Sequence, residues 1–487
     1  MGLKAAKRLA GTACFIAAML FVRGAEAREL QTAREQLYRS YAAQLAELAD
    51  VCDEQQMPEQ AEIVRHWLPP REPGKLTLFV IDDGPDPAAL AEDAPLKHQQ
   101  WRARFLQLRS AQADALFALA RDAVAEGRLS LAMMLLTETV REYPDHSQAR
   151  AALGYERYRD RWVTPYARQR LEQGDQWDDR FGWIAADQLD RYEAGLRPLG
   201  SRWIDAEEDA RLRRHISRGW QVRTEHYLVT TNHSLEEGVR LASQLERFYQ
   251  IWRQLFAGYC FEQVDLERAI EGRTPQRPTT RPHRVVYYGS RDEYNAELRR
   301  DQPNIEITLG IYFDAKRCAF FFAGEEQSAG TLHHEAAHQL FQEARDTARN
   351  VGRRNNFWII EGIATYLESL TEHEGYYTLG GADAGRMRAA RQRLRVEEFY
   401  VPFAEMTPWG MSEMQGHPQL AKLYSQAAGQ ATFLMHADDG HTREPLVHYL
   451  IAVYQNRATP QTLAELTGLS YEELDRQYRA WIGEMTQ

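Results

Sequence analysis

The chain predicts an α+β protein that is mostly helical, and three observations predict it. Apolar residues recur at helical spacing through the amino-terminal third, short β-rich runs cluster between residues 225 and 323, and from Gly330 onward the pattern is almost wholly helical again. A length of 487 residues exceeds what one hydrophobic core supports, so two or three domains are expected. A composition of 44% hydrophobic and 26% charged residues is that of a folded globular protein and excludes disorder or a bundle of membrane helices. The net charge of −11 argues against a phosphate backbone as ligand, so no nucleic-acid partner is expected.

Residues 1–27 read as a signal peptide. Lys4, Lys7 and Arg8 are basic, Thr12 to Val22 is apolar and uncharged, and Ala25-Glu26-Ala27 supplies the small residues of a cleavage site. The apolar run is well short of the roughly 20 residues that cross a bilayer, so no membrane span is expected after cleavage. The mature chain is expected to be exported, either periplasmic or secreted. Cys14 leaves with the leader, and Cys52, Cys260 and Cys318 then allow one disulfide, for which Cys260 and Cys318 are the expected pair. No C-x-x-C pair exists, so a redox motif is not supported.

Residues 28–160 are expected to be helical, interrupted by a loop from Pro69 to Pro95 with a short strand at Leu76–Ile81. Leu116, Leu119, Ala120, Ala132, Leu136 and Pro144 fall at spacings that resemble one tetratricopeptide repeat, and Leu153-Gly154 reads as the start of a second. Such a region either offers a surface to a protein partner or packs as a plain helical hairpin. Residues 161–219, rich in Trp, Arg and Asp, read as a connector with short helices. The domain 220–487 opens with strand character at Glu225–Thr231, a long helix from Ser234 to Phe256, a strand at Arg284–Tyr288 and a helix at Arg291–Arg300. Two β-rich runs, Ile307–Phe313 and Cys318–Ala323, are joined by Asp314-Ala315-Lys316-Arg317 as a hairpin. Helices are predicted at Thr331–Ala344, Asn356–Leu370, Gln419–His436, Glu444–Tyr454 and Tyr471–Met485.

The chemistry lies in His333-His334-Glu335-Ala336-Ala337-His338, which contains H-E-x-x-H. Residues four apart on a helix share a face, so His334 and His338 can direct imidazole nitrogens at one metal ion, and Glu335 can reach a water on that ion as general base. A catalytic zinc needs a third protein ligand, and Glu361 in the apolar segment Phe357–Glu368 is the candidate, since a carboxylate on a core-facing position is costly unless paired or metal-bound. The competing reading of Glu361 is a helix-start acid favoured by the dipole. Gly362 and Ala364 permit close helix approach, and Glu368 is either an acceptor for a ligand histidine or a solvated charge.

His334-Glu335-Ala336-Ala337-His338, followed by Trp358-Ile359-Ile360-Glu361-Gly362-Ile363-Ala364-Thr365-Tyr366 with 22 residues between His338 and Glu361, resembles the gluzincin clan of zinc metallopeptidases in its peptidase-MA-like branch. Glu225-His226-Tyr227-Leu228-Val229, Leu309-Gly310-Ile311-Tyr312 and Tyr424-Ser425-Gln426-Ala427 are similar to the same domain, as are Leu153-Gly154-Tyr155 and Arg161-Trp162-Val163-Thr164-Pro165 upstream. The resemblance implies zinc held by His334, His338 and Glu361, with Glu335 as base. It also implies a small mixed sheet, a helical carboxy-terminal lobe, and Cys318–Ala323 as the sheet edge where a peptide adds as a further strand. Gluzincins commonly stabilise the oxyanion with Tyr or His; Tyr424 is the candidate, with Tyr366, His417 and His436 open and a packed core role the simpler reading of Tyr366.

Three function classes follow: an exported zinc peptidase acting on a peptide or protein, a zinc-bearing or silent gluzincin-like domain used for binding, and a zinc hydrolase of a cell-wall amide. Arg345, Arg349, Arg353 and Arg354, then Arg386, Arg388, Arg391, Arg393 and Arg395, concentrate positive charge, which either favours an acidic peptide near the cleft or forms a solvated helix face. Lys75 lacks the partners of a phosphate loop, and Gly380-Gly381 falls outside any predicted strand-to-helix turn, so no nucleotide site is expected. No G-x-S-x-G elbow is present.

Overall fold

The computed structural model describes residues 3–81, 84, 86–273 and 281–485, with side chains described from residue 29. It is a mostly helical α+β protein. The backbone of residues 3–27, expected to be a signal peptide, belongs to the helix Leu3–Glu54, while their side chains lie outside the described residues. Among the described residues no helix is long and apolar enough to cross a membrane.

The chain divides into two compact units. The first takes residues 1–70, 81–153 and 261–274. Its helices Leu96–Ala125 and Leu129–Glu142 form a hairpin turned at Gly127, whose positive φ of 73° only glycine adopts freely. Tyr41, Leu45, Ala49, Cys52, Trp101 and Phe105 fill its core. The buried Glu142 accepts hydrogen bonds from the Tyr41 hydroxyl at 2.8 Å and the Trp67 indole at 2.9 Å, so its charge is solvated by protein.

The second unit comprises residues 71–80, 154–260 and 275–487. Residues 71–80 contribute β1 (Lys75–Leu78). The segment expected to be a connector with short helices is a tandem array of three modules. Each is a hairpin followed by a short helix: β2 (Glu156–Tyr158) with β3 (Arg161–Val163), β4 (Asp175–Asp178) with β5 (Gly182–Ala185), and β6 (Leu196–Leu199) with β7 (Arg202–Asp205). Trp162, Trp183 and Trp203 recur in register, each followed by a buried Val163, Ile184 or Ile204. The Arg170 guanidinium lies 5.8 Å from the Trp183 ring centre and Arg191 lies 5.0 Å from that of Trp203, so the helix of one module stacks on the tryptophan of the next. Thr164 and Asp205 cap their helices by accepting from the amides of Ala167 and Glu208.

A five-stranded sheet follows, in the order β11-β12-β10-β9-β8, from β8 (Trp220–Arg223), β9 (Tyr227–Thr231), β10 (His283–Tyr288), β11 (Ile311–Phe313) and β12 (Cys318–Phe322). β9, β10 and β12 run parallel, while β8 and β11 are antiparallel edges. The expectation that Cys318–Ala323 forms the edge is overturned. All five residues of β12 are buried because both its faces and both its flanks are covered, and the open edge is β11. The expected Cys260–Cys318 disulfide is likewise absent: Cys52, Cys260 and Cys318 are free thiols. Cys318 packs among Tyr288, Tyr294 and Ile305, and burial pushes its thiol up to about 12.

The helices of this unit match the sequence reading closely. Ser234 caps the helix Leu235–Leu255, and the others span Arg291–Leu298, Ala329–Glu343, Phe357–Leu367, Leu420–Gly440, Arg443–Tyr454 and Tyr471–Glu484. One hairpin interrupts the part expected to be helical: β13 (Thr371–His373) and β14 (Tyr376–Gly380) form a second sheet with β1, pairing Lys75 with Gly380 and Leu78 with Tyr377. Gly380 and Gly381 therefore do lie between a strand and a helix, Gly385–Arg395, contrary to the expectation that they stand outside such a turn. Both have positive φ, 90° and 97°.

Candidate metal centre

The helix Ala329–Glu343 begins at Ser328, whose hydroxyl accepts from the Thr331 amide. Ala336, Ala337, Leu340 and Phe341 are fully buried, so one face is fixed in the core and the other carries His334 and His338. Glu361 comes from the helix Phe357–Leu367, which enters through the buried Asn356; the Asn356 side chain accepts from the Tyr449 hydroxyl at 2.7 Å and donates to the Thr459 carbonyl at 3.2 Å. Gly362 sets that helix hard against Leu420–Gly440, since a Cβ there would stand 2.7 Å from the Ala427 carbonyl oxygen.

These elements bring together the three residues predicted as ligands. His334 Nε2 lies 3.1 Å from His338 Nε2, and Glu361 Oε2 lies 3.6 Å from the first and 3.8 Å from the second. One ligand atom from each sits within 4.8 Å of the others, an arrangement that can hold a metal ion. His334 donates from Nδ1 to Glu368 Oε1 at 2.9 Å, which turns Nε2 towards the cluster. Burial opposes charge on His334, but its bonds to Glu361 and Glu368 outweigh burial and push it up to about 10. Burial lowers His338. Burial alone would raise Glu361; the neighbouring histidines and Tyr424 hold it below the ordinary carboxylate range.

Glu335 is turned to the edge strand, where its Oε2 accepts from the Tyr312 amide at 2.8 Å. Gly310 makes room for it, because a Cβ there would meet Glu335 Cγ at 3.3 Å and the Phe321 ring at 3.0 Å. Tyr424 lies near Glu361, and burial, followed by the charge of that carboxylate, raises the pKa of its hydroxyl. Of the residues left open, Tyr366 donates to His436 Nε2 at 2.8 Å and His417 stacks on Trp409. His333, beside His334, stacks on Phe248 and is pushed down to about 4 by burial.

Two pairings escaped sequence reading. Arg386, read from the sequence only as part of a basic concentration, donates from Nε to Glu368 Oε2 at 3.3 Å, so Glu368 bridges His334 and a cation. Glu343 accepts from the Tyr312 hydroxyl at 3.0 Å and pairs with His283 at 2.9 Å, which anchors the strand that holds Glu335. Neither pairing has a sequence signal, because both join elements far apart in the chain. No protein-family model matches this chain, and no curated protein is similar to it.

Proposed function

We propose that this protein is a zinc-dependent peptidase, with His334, His338 and Glu361 as metal ligands and Glu335 as general base. The observation that carries the reading is the convergence of those three side chains beside an intact Glu335. A tetrahedral zinc with bonds of about 2.0–2.1 Å keeps its ligand atoms roughly 3.3 Å apart. The separations of 3.1, 3.6 and 3.8 Å bracket that value. Two imidazoles and a carboxylate are also the donor set of catalytic zinc, with a further position left for water.

Zinc bound there supplies Lewis acidity, lowering the pKa of water and polarising a scissile carbonyl. Glu335 takes the proton from the attacking water and delivers it to the leaving amine. Glu368 fixes the tautomer of His334. Tyr424 is assigned to the oxyanion, because it is half-buried near the proposed ligand Glu361, whose charge acts on its hydroxyl. The edge strand β11 offers its free flank to an extended peptide, beside the base that its own Tyr312 amide holds.

The reading extends to the whole chain as a gluzincin-like peptidase unit with a tetratricopeptide-like helical region that offers a surface to a protein partner. It also includes export by cleavage after Ala27, which amino-terminal sequencing of the exported protein checks. The decisive experiment measures metal content and peptide turnover for the wild type, Glu335→Gln and Glu361→Ala. The expected result is about one zinc per wild-type chain, retained without turnover in Glu335→Gln and mostly lost in Glu361→Ala. Absence of zinc in the wild type after incubation with the ion defeats the reading.

A further inference from the structure

Next to the metal cluster the same unit contains an open cavity of about 400 Å³. Glu368 is common to both, since its carboxylate accepts from His334 and also lines this cavity. The cavity rim carries two cations. Lys75 Nζ lies 3.0 Å from Asp383 and 2.8 Å from Glu72, and so is held by carboxylates. Arg386 commits only Nε, to Glu368, and among the described residues its two terminal nitrogens have no hydrogen-bond partner.

One further feature favours an anion. The helix Gly385–Arg395 begins in the cavity wall with Ala384 at its cap position and no side-chain cap, so the amides of its first turn are not capped by a side chain. Met387 and neighbouring small residues supply an apolar wall for a short aliphatic stem. Asp383 and Glu368 balance the two cations one for one, so the open fork of Arg386, not a net positive field, would recognise the anion, which suits a monoanion better than a dianion.

We infer that this cavity receives a carboxylate of the substrate through Arg386, so that the enzyme acts on peptides bearing an acidic side chain or a free carboxy-terminus beside the scissile bond. The inference rests on the peptidase reading and adds its substrate class. A guanidinium with two free terminal nitrogens matches a carboxylate in a bidentate fork, which neither an amide nor an apolar side chain reproduces.

The test is calorimetric binding of small probes to the full zinc-loaded chain. N-acetylglutamate α-amide offers only a side-chain carboxylate, N-acetylalanine only a terminal one, and N-acetylglutamine α-amide neither; inorganic phosphate is the fourth probe. The expected result is that at least one acid binds about tenfold or more tighter than the neutral amide. Arg386→Met should remove that preference at unchanged metal content, and Arg386→Lys should keep part of it. Which acid binds decides between acidic residues and carboxy-termini. Equal binding of acid and amide, no acid binding at millimolar concentration, indifference to Arg386→Met, or tighter binding of phosphate overturns the assignment. Acid binding lost in the metal-free His338→Ala chain would assign the carboxylate to the ion instead and overturn it too. Those outcomes leave zinc content and turnover intact. Loss of zinc content or turnover with Arg386-dependent acid binding preserved would instead defeat the peptidase reading alone.

Discussion

Glu368→Gln isolates a single charge behind the metal site. Glu368 Oε1 accepts from His334 Nδ1 at 2.9 Å, and the side chain is 25% exposed, so water screens the bond only in part. Glutamine keeps an acceptor of the same reach but makes it neutral. A hydrogen bond to a charged group contributes about 1.5–3 kcal/mol and a neutral one about 0.5–1.5 kcal/mol, so the exchange removes roughly 1–1.5 kcal/mol of support for the ligand orientation of His334. At about 1.4 kcal/mol per decade, zinc affinity should fall about tenfold. Glu368→Ala also frees the ring to turn and should fall towards a hundredfold. Competition against a chromophoric chelator at fixed pH reads both numbers, with the thermal midpoint of the metal-free chain as a folding control. Glu368→Gln within about twofold of wild type, or Glu368→Ala no weaker than Glu368→Gln, would refute the argument that this carboxylate orients a ligand.

Gly362→Ala should destabilise the fold and lower zinc affinity together. Its Cβ would meet the Ala427 carbonyl oxygen at 2.7 Å, overpacking of about 1–3 kcal/mol that a helix-propensity gain of up to about 1 kcal/mol offsets only in part; a urea midpoint equal to wild type would contradict the close helix contact. Gly310→Ala should keep its zinc while losing most turnover, because the added methyl presses on Glu335 and Phe321, and parallel metal and activity measurements check it. Burial, reinforced by Arg443, pushes His436 down to about 3, below its ordinary value of 6.5, so the folded state favours the neutral ring. The stability this contributes is complete above about pH 6.5 and is lost as pH falls towards 3, at about 1.4 kcal/mol per pH unit, and His436→Gln should flatten that slope in urea titrations across pH.

Elements with local signals were legible. Ser234 and Ser328 each cap a helix that the sequence placed within three residues, because a hydroxyl accepting from the third amide on is a contact between near neighbours. The meeting of His334 and His338 is legible for the same reason, the two being one helical turn apart. Glu361 was found because an acid in an apolar helix needs a partner. The three hairpin modules were missed: their strands are three or four residues long, and the stacked arginines mask any alternation. A Trp followed by Val or Ile, recurring in step with a glycine at each module boundary, was the available signal. The edge position of β11 was illegible because strand order depends on pairings outside the strand itself, as was the approach of Arg386 to Glu368.

The strand β1 gives the larger unit a problem of timing. Lys75 pairs with Gly380, so on a ribosome adding about 5–20 residues per second its partner emerges roughly 15–60 s later. Through that interval the piece that completes the β1-β14-β13 sheet has already been made and waits with its backbone unsatisfied, open to wrong partners. A fragment beginning at residue 220 meets the converse fault. It contains every residue of the proposed catalytic set, yet β14 loses the strand that covers the buried Leu379 flank and gains an unprotected edge. The boundary that sequence suggests for the domain is therefore one at which aggregation, rather than inactivity, is the expected failure.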